Sequence, residues 1–335
     1  MKILGIETSC DETAAAVVEN GGKILSNLVA SSSEMHAKTG GVIPEQAARQ
    51  QVKSIIPIVG QALEVSGQSL ETIDAVAVTV GPGLVGSLLV GVETAKTLAH
   101  LYQKPIIPVN HLVAHIYANW LSGKNPKFPA LALVVSGGHT DLVLMKSHGN
   151  LEWIGGTRDD AAGEAFDKTA RLLGLEYPGG PSISREAKKY FKGARLKLFP
   201  RPMINEDNFD WSFSGLKTAV LRAVEKQKSL DVPRFSAEIQ EAIVDVLVEK
   251  TLRAVKKFKP QSLLLAGGVA ANQRLREKFE SEIKNQKLKI KFFAPPPSLC
   301  TDNAAYIAAS AYFINSPTGW QQLEANPELT IVGQI

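Results

Sequence analysis

KILGIETSCDETAAAVVE (residues 2–19) decides how this chain folds. KILGIETS reads as a buried strand and AAAVVE as its partner, with the polar turn CDET between them. GKILSNLVAS (22–31) supplies a third strand. A helix begins at Pro44, because proline is favoured in the first turn. Ala48, Val52, Ile55, Ile56, Val59 and Leu63 give this helix an apolar stripe at helical spacing, and Pro57 inside it should kink it. DAVAVTV (74–80) is a continuous apolar strand, as expected for a parallel-sheet interior. GPGLVGS (81–87) is a Gly-rich turn leading into a helix through about Leu101, and PIIPV (105–109) is the next strand. The order is β-β-β-α-β-α-β.

The second half repeats that plan. ALALVV (130–135) and DLVLMKS (141–147) flank the turn SGGHT, and LEWIG (151–155) is a third strand. Ile239, Ala242, Ile243, Val246 and Leu247 mark the buried face of a long amphipathic helix. SLLLAGG (262–268) is a buried strand, NQRLREKFESEI a helix, KIKFFA a strand and DNAAYIAASAYFI (302–314) a closing helix. A duplicated α/β unit follows, in architecture rather than in residue-for-residue identity. The expected division is 1–108, then 109–325 with a helical and loop insertion over about 156–235, then a tail over 326–335. Ligands of open α/β sheets bind beyond the carboxyl ends of strands. The turns TSCDET, GPGLVGS, SGGHT and AGGVAAN all follow apolar strands and are expected to point into one central cleft between the halves.

The 335 residues suffice for two domains with substantial cores. A composition of 44% hydrophobic and 21% charged residues is that of a soluble globular protein. The net charge of +4 and a pI near 8.9 permit a nucleic-acid partner without demanding one. Cys10 and Cys300 make no disulfide framework, which points to a reducing cytosol. MKILGIETSCDET turns polar too early for a secretory apolar core, and no apolar run approaches the roughly 20 residues that cross a bilayer.

NHLVAHIYA (110–118) carries two histidines four apart. On a helix such residues share a face, with Cβ atoms roughly 5–6 Å apart, so His111 and His115 can grip one ion or simply pack on an amphipathic helix. Zinc or iron needs a third protein ligand. Asp302, at the start of the closing helix, offers one, unless it only caps that helix. Leu112 stands where an HExxH protease carries its glutamate base, which argues against thermolysin-like hydrolysis. Asp11 and Glu12 in the first turn can orient a nucleophile or accept a proton, or make a hairpin turn with Asx-type bonding. In VVSGGHT (134–140) the glycines let backbone N–H groups approach an anion; an ordinary glycine hairpin is the alternative. In AGGVAANQRLR (266–276), Gly267 and Gly268 follow the same logic, and Asn272 either caps the next helix or bonds a sugar or base. RDDAAGEAFDKTARLLG (158–174) reads as an acidic helix with Asp160, Glu164 and Asp167 on one face, needing a partner or solvent. YPGGPSIS (177–184) is a rigid loop whose Gly179 and Gly180 suit close ligand contact. Arg185, Lys188, Lys189, Lys192, Arg195, Lys197 and Arg201 face a single acid, Glu186, between 185 and 201. That stretch suits a nucleic acid or a solvated basic helix.

Together GIETSCDET, HAKTGGVIPEQAAR, GPGLVGSLLVG, His111/His115, VSGGHTDL, DDAAGEAFDK, YPGGP, WSFSGLKTA, AGGVAAN and CTDNAAYIA resemble one family over roughly residues 1–314. It is the universal tRNA threonylcarbamoyltransferase family, called TsaD in bacteria and formerly misnamed O-sialoglycoprotein endopeptidase. The resemblance implies the actin-like, sugar-kinase-like architecture of two ribonuclease-H-like halves, which agrees with the repeat. It implies an acyltransferase that moves threonylcarbamoyl from threonylcarbamoyl-AMP to N6 of adenosine-37 in tRNAs reading codons that begin with adenine, releasing AMP. Residue by residue, His111, His115 and Asp302 match the metal ligands. Val134, Val135, Ser136, Gly137, Gly138, Asp167, Gly180 and Asn272 match the donor-nucleotide contacts. Asp11, with Glu12 beside it, matches an acid needed for transfer. The implied metal is Fe²⁺, with Zn²⁺ the alternative. The implied partners are tRNA, a TsaB-like paralogue and a TsaE-like ATPase, with a homodimer for the protein alone, in the cytoplasm. Ser184 departs from the pattern, standing where many members carry an acid. An ATPase or kinase of the same fold would turn over ATP without tRNA, and a non-catalytic scaffold should lack the metal triad.

Overall fold

A computed structural model describes residues 1–32, 41–121, 123–190 and 198–333. The chain forms two compact units, Met1–Pro126 with Ser147–Leu151 and Pro295–Ile335, and Lys127–Lys146 with Glu152–Ala294.

In the first unit β1 (Lys2–Glu7) pairs antiparallel with β2 (Thr13–Glu19), which pairs with β3 (Lys23–Ala30). On its other side β1 runs parallel to β4 (Ala75–Gly81), and β4 to β5 (Ile106–Asn110), giving the order β3-β2-β1-β4-β5. Helix α1 (Pro44–Ser66) ends on Gly67 in the left-handed conformation, and α2 is Val85–Leu101. Leu4 and Ile6 join a core with Ile55, Val59 and Val92 from these helices. Successive strand residues face opposite ways, so Gly5 looks to the other side, where α9 (Ala305–Ile314) packs against β1 and against α3 (His111–Tyr117).

The second unit repeats the order from its own hairpin. β6 (Ala130–Val135) pairs antiparallel with β7 (Thr140–Ser147), which neighbours β8 (Asn150–Gly156). On the other side come β9 (Ser262–Ala266), parallel to β6, and β10 (Lys291–Phe293). The helices are α4 (Ala162–Leu172), α5 (Gly179–Ala187), α6 (Ser214–Glu225), α7 (Val232–Phe258) and α8 (Gln273–Asn285). The expected face of α7, Ile239 to Leu247, is fully buried.

The structure differs from the sequence reading in four places. The buried stripe of α1 is Ala47, Gln51, Ile55, Ile58, Val59, Ala62 and Leu63, whereas Val52 and Ile56 are each 63% exposed. Gln51 sets this rotation, because its amide donates to the carbonyls of Cys10 (3.1 Å) and Glu12 (3.0 Å) and must face the sheet. Helix α4 begins at Ala162 rather than 158, where the Thr140 hydroxyl accepts from the Ala162 N–H (2.9 Å). Helices α3 and α9, expected in the second half, belong to the first unit. The segment from 326 is no free tail as far as it is described: Leu329 and Ile331 are buried, and the Asn326 N–H donates to Val80 O (2.7 Å).

A Cβ on Gly5 would overlap the Ala304 carbonyl and lie 3.1 Å from the Ala308 Cβ. Gly5→Ala is therefore expected to lower stability by ~1–3 kcal/mol through overpacking of β1 on α9. A urea midpoint equal to wild type would refute that close approach.

Candidate metal centre and glycine turns

Asn110, the last residue of β5, starts α3. Its Oδ1 accepts from the N–H groups of Leu112 (2.9 Å) and Val113 (3.2 Å), an N-cap. Its Nδ2 donates to Thr330 O (2.8 Å), tying the C-terminal segment to the cap. The helix that begins here puts His111 and His115 on one buried face, with Nε2 atoms 3.2 Å apart and rings edge-on.

Asp302 does not cap α9. That role falls to Asn303, whose Oδ1 accepts from Ala305 (3.1 Å) and Tyr306 (3.4 Å). The Asp302 Oδ1 instead lies 3.7 Å from His111 Nε2 and 3.6 Å from His115 Nε2. The three ligand atoms lie within 4.8 Å of one another. Ligands about 2.0–2.2 Å from a tetrahedral centre are about 3.3–3.6 Å apart, so the donor set and its spacing fit a divalent ion. The Tyr306 hydroxyl lies 3.4 Å from Asp302 Oδ1, and its ring packs 4.7 Å from that of His115.

The surroundings favour a cation. Burial raises the Asp302 carboxyl to about 6, with Glu7 and Asp11 adding to the rise and His111 opposing it. Burial disfavours the His111 imidazolium, yet Glu7 and Asp302 outweigh it and raise His111 to about 9. Burial also pushes Glu7 up, but His111 and the hydrogen bonds from His111, Ser9 and Thr79 leave it below the usual carboxylate range. Burial lifts Glu12 to about 7, with Asp11 and Asp302 contributing and Ser31 opposing. The Ser31 hydroxyl donates to Glu12 Oε1 (2.8 Å), and the Ser32 hydroxyl to the Asp11 carbonyl (2.5 Å). Cys10 is held well above its ordinary value, first by burial and then by Asp11 and Asp302, so it offers no thiolate.

In the second unit the SGGHT turn joins β6 to β7, closed by Ser136 N–H to His139 O (2.9 Å) and His139 N–H to Ser136 Oγ (3.1 Å). Nothing lies within 4 Å of where a Cβ on Gly137 or Gly138 would stand, so their backbone is open to a ligand. Val134 and Val135 are fully buried, backbone included, within the strand pairing of β6. Gly267, at φ +87°, packs its α-carbon against the Val135 carbonyl. Asp167 Oδ1 accepts from Gly179 N–H (2.7 Å), which places the open Gly180 beside it; burial raises its carboxyl. The expected row of repelling acids is resolved by Lys168, which bonds Asp160 (2.7 Å) and Glu164 (2.8 Å). Asn272 both caps α8, accepting from Leu275 N–H (3.0 Å), and donates to Ser184 Oγ and Gln240 Oε1 (3.0 Å each). Of the basic stretch, Arg201 is bound to Asp245 (2.9 Å) and Lys189 to Glu186 (2.7 Å). Lys192, Arg195 and Lys197 lie outside the described residues.

The family model for TsaD, tRNA N6-adenosine threonylcarbamoyltransferase, matches residues 23–309. The chain belongs to this family. It is 53% identical over 313 residues to the tRNA N6-adenosine threonylcarbamoyltransferase of Dehalococcoides mccartyi, covering 93% of each chain. It is 51% identical over 341 residues to that of Geobacillus kaustophilus, covering 98% of this chain and 97% of the relative. It is an enzyme of the transferase class. Full-length HypF superposes with a TM-score of 0.61 at 13% identity, covering 95% of this chain and 56% of that one. Component A of the Acidaminococcus fermentans (R)-2-hydroxyglutaryl-CoA dehydratase gives 0.54 at 14% identity, covering 93% and 98%. These likenesses show the actin-like, sugar-kinase-like fold.

Glu7, Gln51 and Tyr306 escaped the sequence reading. The signal for Glu7 was a lone carboxylate closing an apolar strand. Tyr306 stands one helical turn after Asp302.

The Glu12 shift predicts a pH effect in the metal-free protein. A carboxyl raised to about 7 in the fold from 4.5 favours the protonated folded state. Its contribution is greatest at low pH, falls as pH rises from about 4.5 to 7 and levels off above. Glu12→Gln should therefore gain stability relative to wild type across that window, read from urea midpoints at each pH. A difference independent of pH would overturn the shift.

Proposed function

We propose that this chain transfers threonylcarbamoyl from threonylcarbamoyl-AMP to N6 of adenosine-37 in tRNAs reading codons that begin with adenine, in a metal-dependent reaction. The supporting observation is the His111, His115 and Asp302 donor set within 4.8 Å, in a chain 53% identical to a named transferase of this kind.

His111, His115 and Asp302 hold the ion, iron(II) or zinc. When bound, that ion supplies Lewis-acid charge to a carbonyl or carboxylate oxygen of the donor. The exposed backbone of the turn over Ser136, Gly137 and Gly138, which Val134 and Val135 lead into, meets the adenylate, with Asp167, Gly180 and Asn272 as further contacts. Exposed N–H groups of a glycine turn suit an anion. In the transfer the acceptor N6 bonds to the carbamoyl carbon, and the bond from that carbon to the phosphate oxygen breaks. AMP leaves with the electron pair. The N6 proton passes to a carboxylate of the Asp11–Glu12 turn, where Glu12, raised to about 7, accepts protons near neutrality. The adenine amine is a poor nucleophile, so orientation carries much of the rate.

The partners in this reading are tRNA, a TsaB-like paralogue and a TsaE-like ATPase, with self-association when those are absent. No helix among the described residues is long and apolar enough to cross a membrane, and the cytoplasm is the proposed site of action. The intact triad speaks against a non-catalytic scaffold.

The test is reconstituted transfer, with the tRNA digested and its nucleosides separated by mass. Wild type with partners should yield a threonylcarbamoyladenosine peak that chelator abolishes. His111→Ala should keep its fold, lose bound metal and lose the peak. Transfer at the wild-type rate in that variant would sink the metal role, and ATP turnover without tRNA would favour a kinase reading.

Asp167→Asn addresses the donor separately. It weakens the charged hydrogen bond that places Gly179 and Gly180, so the KM for threonylcarbamoyl-AMP should rise about tenfold or more while metal content stays at wild type. An unchanged KM would remove Asp167 from the donor site.

A further inference from the structure

We infer that Glu7 is a positioning residue for His111: its carboxylate takes the Nδ1 proton as a hydrogen bond and leaves Nε2 as the nitrogen that faces the ion. The inference rests on the metal reading above and adds to it a residue outside the donor set.

The geometry leaves Glu7 little freedom. It is 1% exposed, at the end of β1. Its Oε1 accepts from the Ser9 N–H (2.5 Å), and its Oε2 accepts from the Thr79 hydroxyl (2.6 Å). The same Oε2 lies 3.0 Å from His111 Nδ1. Both oxygens are thus already acceptors, held by donors from the turn after β1 and from β4. A carboxylate in that state has no proton to give, so the hydrogen of the His111 contact belongs to Nδ1. When the ring is neutral, as a metal ligand must be, its lone pair is on Nε2, the atom 3.2 Å from His115 Nε2 and 3.7 Å from Asp302 Oδ1. Ser9 Oγ, 3.2 Å from Nδ1, cannot impose this by itself, because a hydroxyl both donates and accepts. A ligand histidine whose far nitrogen is fixed by a carboxylate is both oriented and made more basic.

Glu7→Gln keeps the shape and removes the charge. Its amide has one acceptor where the site presents three donors, so at least one faces an NH₂ group. The experiment titrates the metal-stripped full chain with Zn²⁺ against a chromophoric chelator, for wild type, Glu7→Gln and His111→Ala. Thermal unfolding checks each fold. Glu7→Gln should bind Zn²⁺ ~10–100-fold more weakly. A ¹⁵N-histidine spectrum of the Zn²⁺-loaded wild type should show His111 protonated at Nδ1 and metal-bound at Nε2. Unchanged affinity in a folded Glu7→Gln, or a His111 bound through Nδ1, overturns the Glu7 assignment alone. If Glu7→Gln does not fold, the wild-type spectrum decides. A wild type that takes up no Zn²⁺, or a His111→Ala that binds it as wild type does, overturns the metal reading and this inference with it.

Discussion

A carboxylate buried at the end of an apolar strand has to be answered by donors, and the first unit is arranged to answer Glu7. An uncompensated buried charge costs several kcal/mol. Its donors come from three places: the turn after β1, strand β4 and helix α3. β1 and β4 run parallel with Ile6 beside Val78, and one step further along that ladder Glu7 reaches Thr79. Helix α3 must begin where β5 ends, which the Asn110 cap enforces. One charge therefore links sheet register, helix start and the orientation of an imidazole. The Gly5–Ala304 approach then sets α9 against the same strand and brings Asp302 to the histidines.

The chain uses one strand-turn-strand plan twice with opposite electrostatics. In the first unit the turn between β1 and β2 holds Asp11 and Glu12; burial raises the Glu12 and Asp302 carboxyls, and the negative charge of Asp11 adds to the rise. That environment is relieved by a cation. In the second unit the turn between β6 and β7 holds Gly137 and Gly138, whose backbone stands open. Nearby acids there are already answered: Asp160 and Glu164 by Lys168, and Asp167 by the Gly179 amide. Such a turn offers donors to an anion. The two sheets share one strand plan, and the chemistry of their first turns differs.

The element order and the pairing of His111 with His115 on one helix face were legible because both rest on short-range patterns. Continuous apolar runs mark buried strands, and a four-residue spacing puts two histidines on one face. What was not legible depends on tertiary partners. Gln51 turns the buried face of α1 by one residue, leaving Val52 and Ile56 outside, because its amide is needed by the Cys10 and Glu12 carbonyls. No periodicity announces that. The start of α4 was read too early because Asp159 looks like a helix residue. In fact it accepts from the hydroxyls of Ser212 (2.5 Å) and Ser214 (2.7 Å) at the start of α6. Of the two readings left open for Asp302, the fold selects the one facing the histidines, and the neighbouring Asn303 does the capping. Either type can cap a helix, so only the fold separates them.

Ser184 is held in a neutral hydrogen-bond network of its own. An acid here would bring a charge beside Asn272. The serine instead donates to Gln240 Oε1 (2.8 Å) and accepts from Asn272 Nδ2, so Ser184, Gln240 and Asn272 form a neutral triangle. Asn272 Oδ1 is occupied by the helix cap, and the Nδ2 donor has its partners in Ser184 and Gln240 without a ligand. A sugar hydroxyl meeting this group exchanges one neutral hydrogen bond for another, and such bonds are about half as strong as charge-assisted ones.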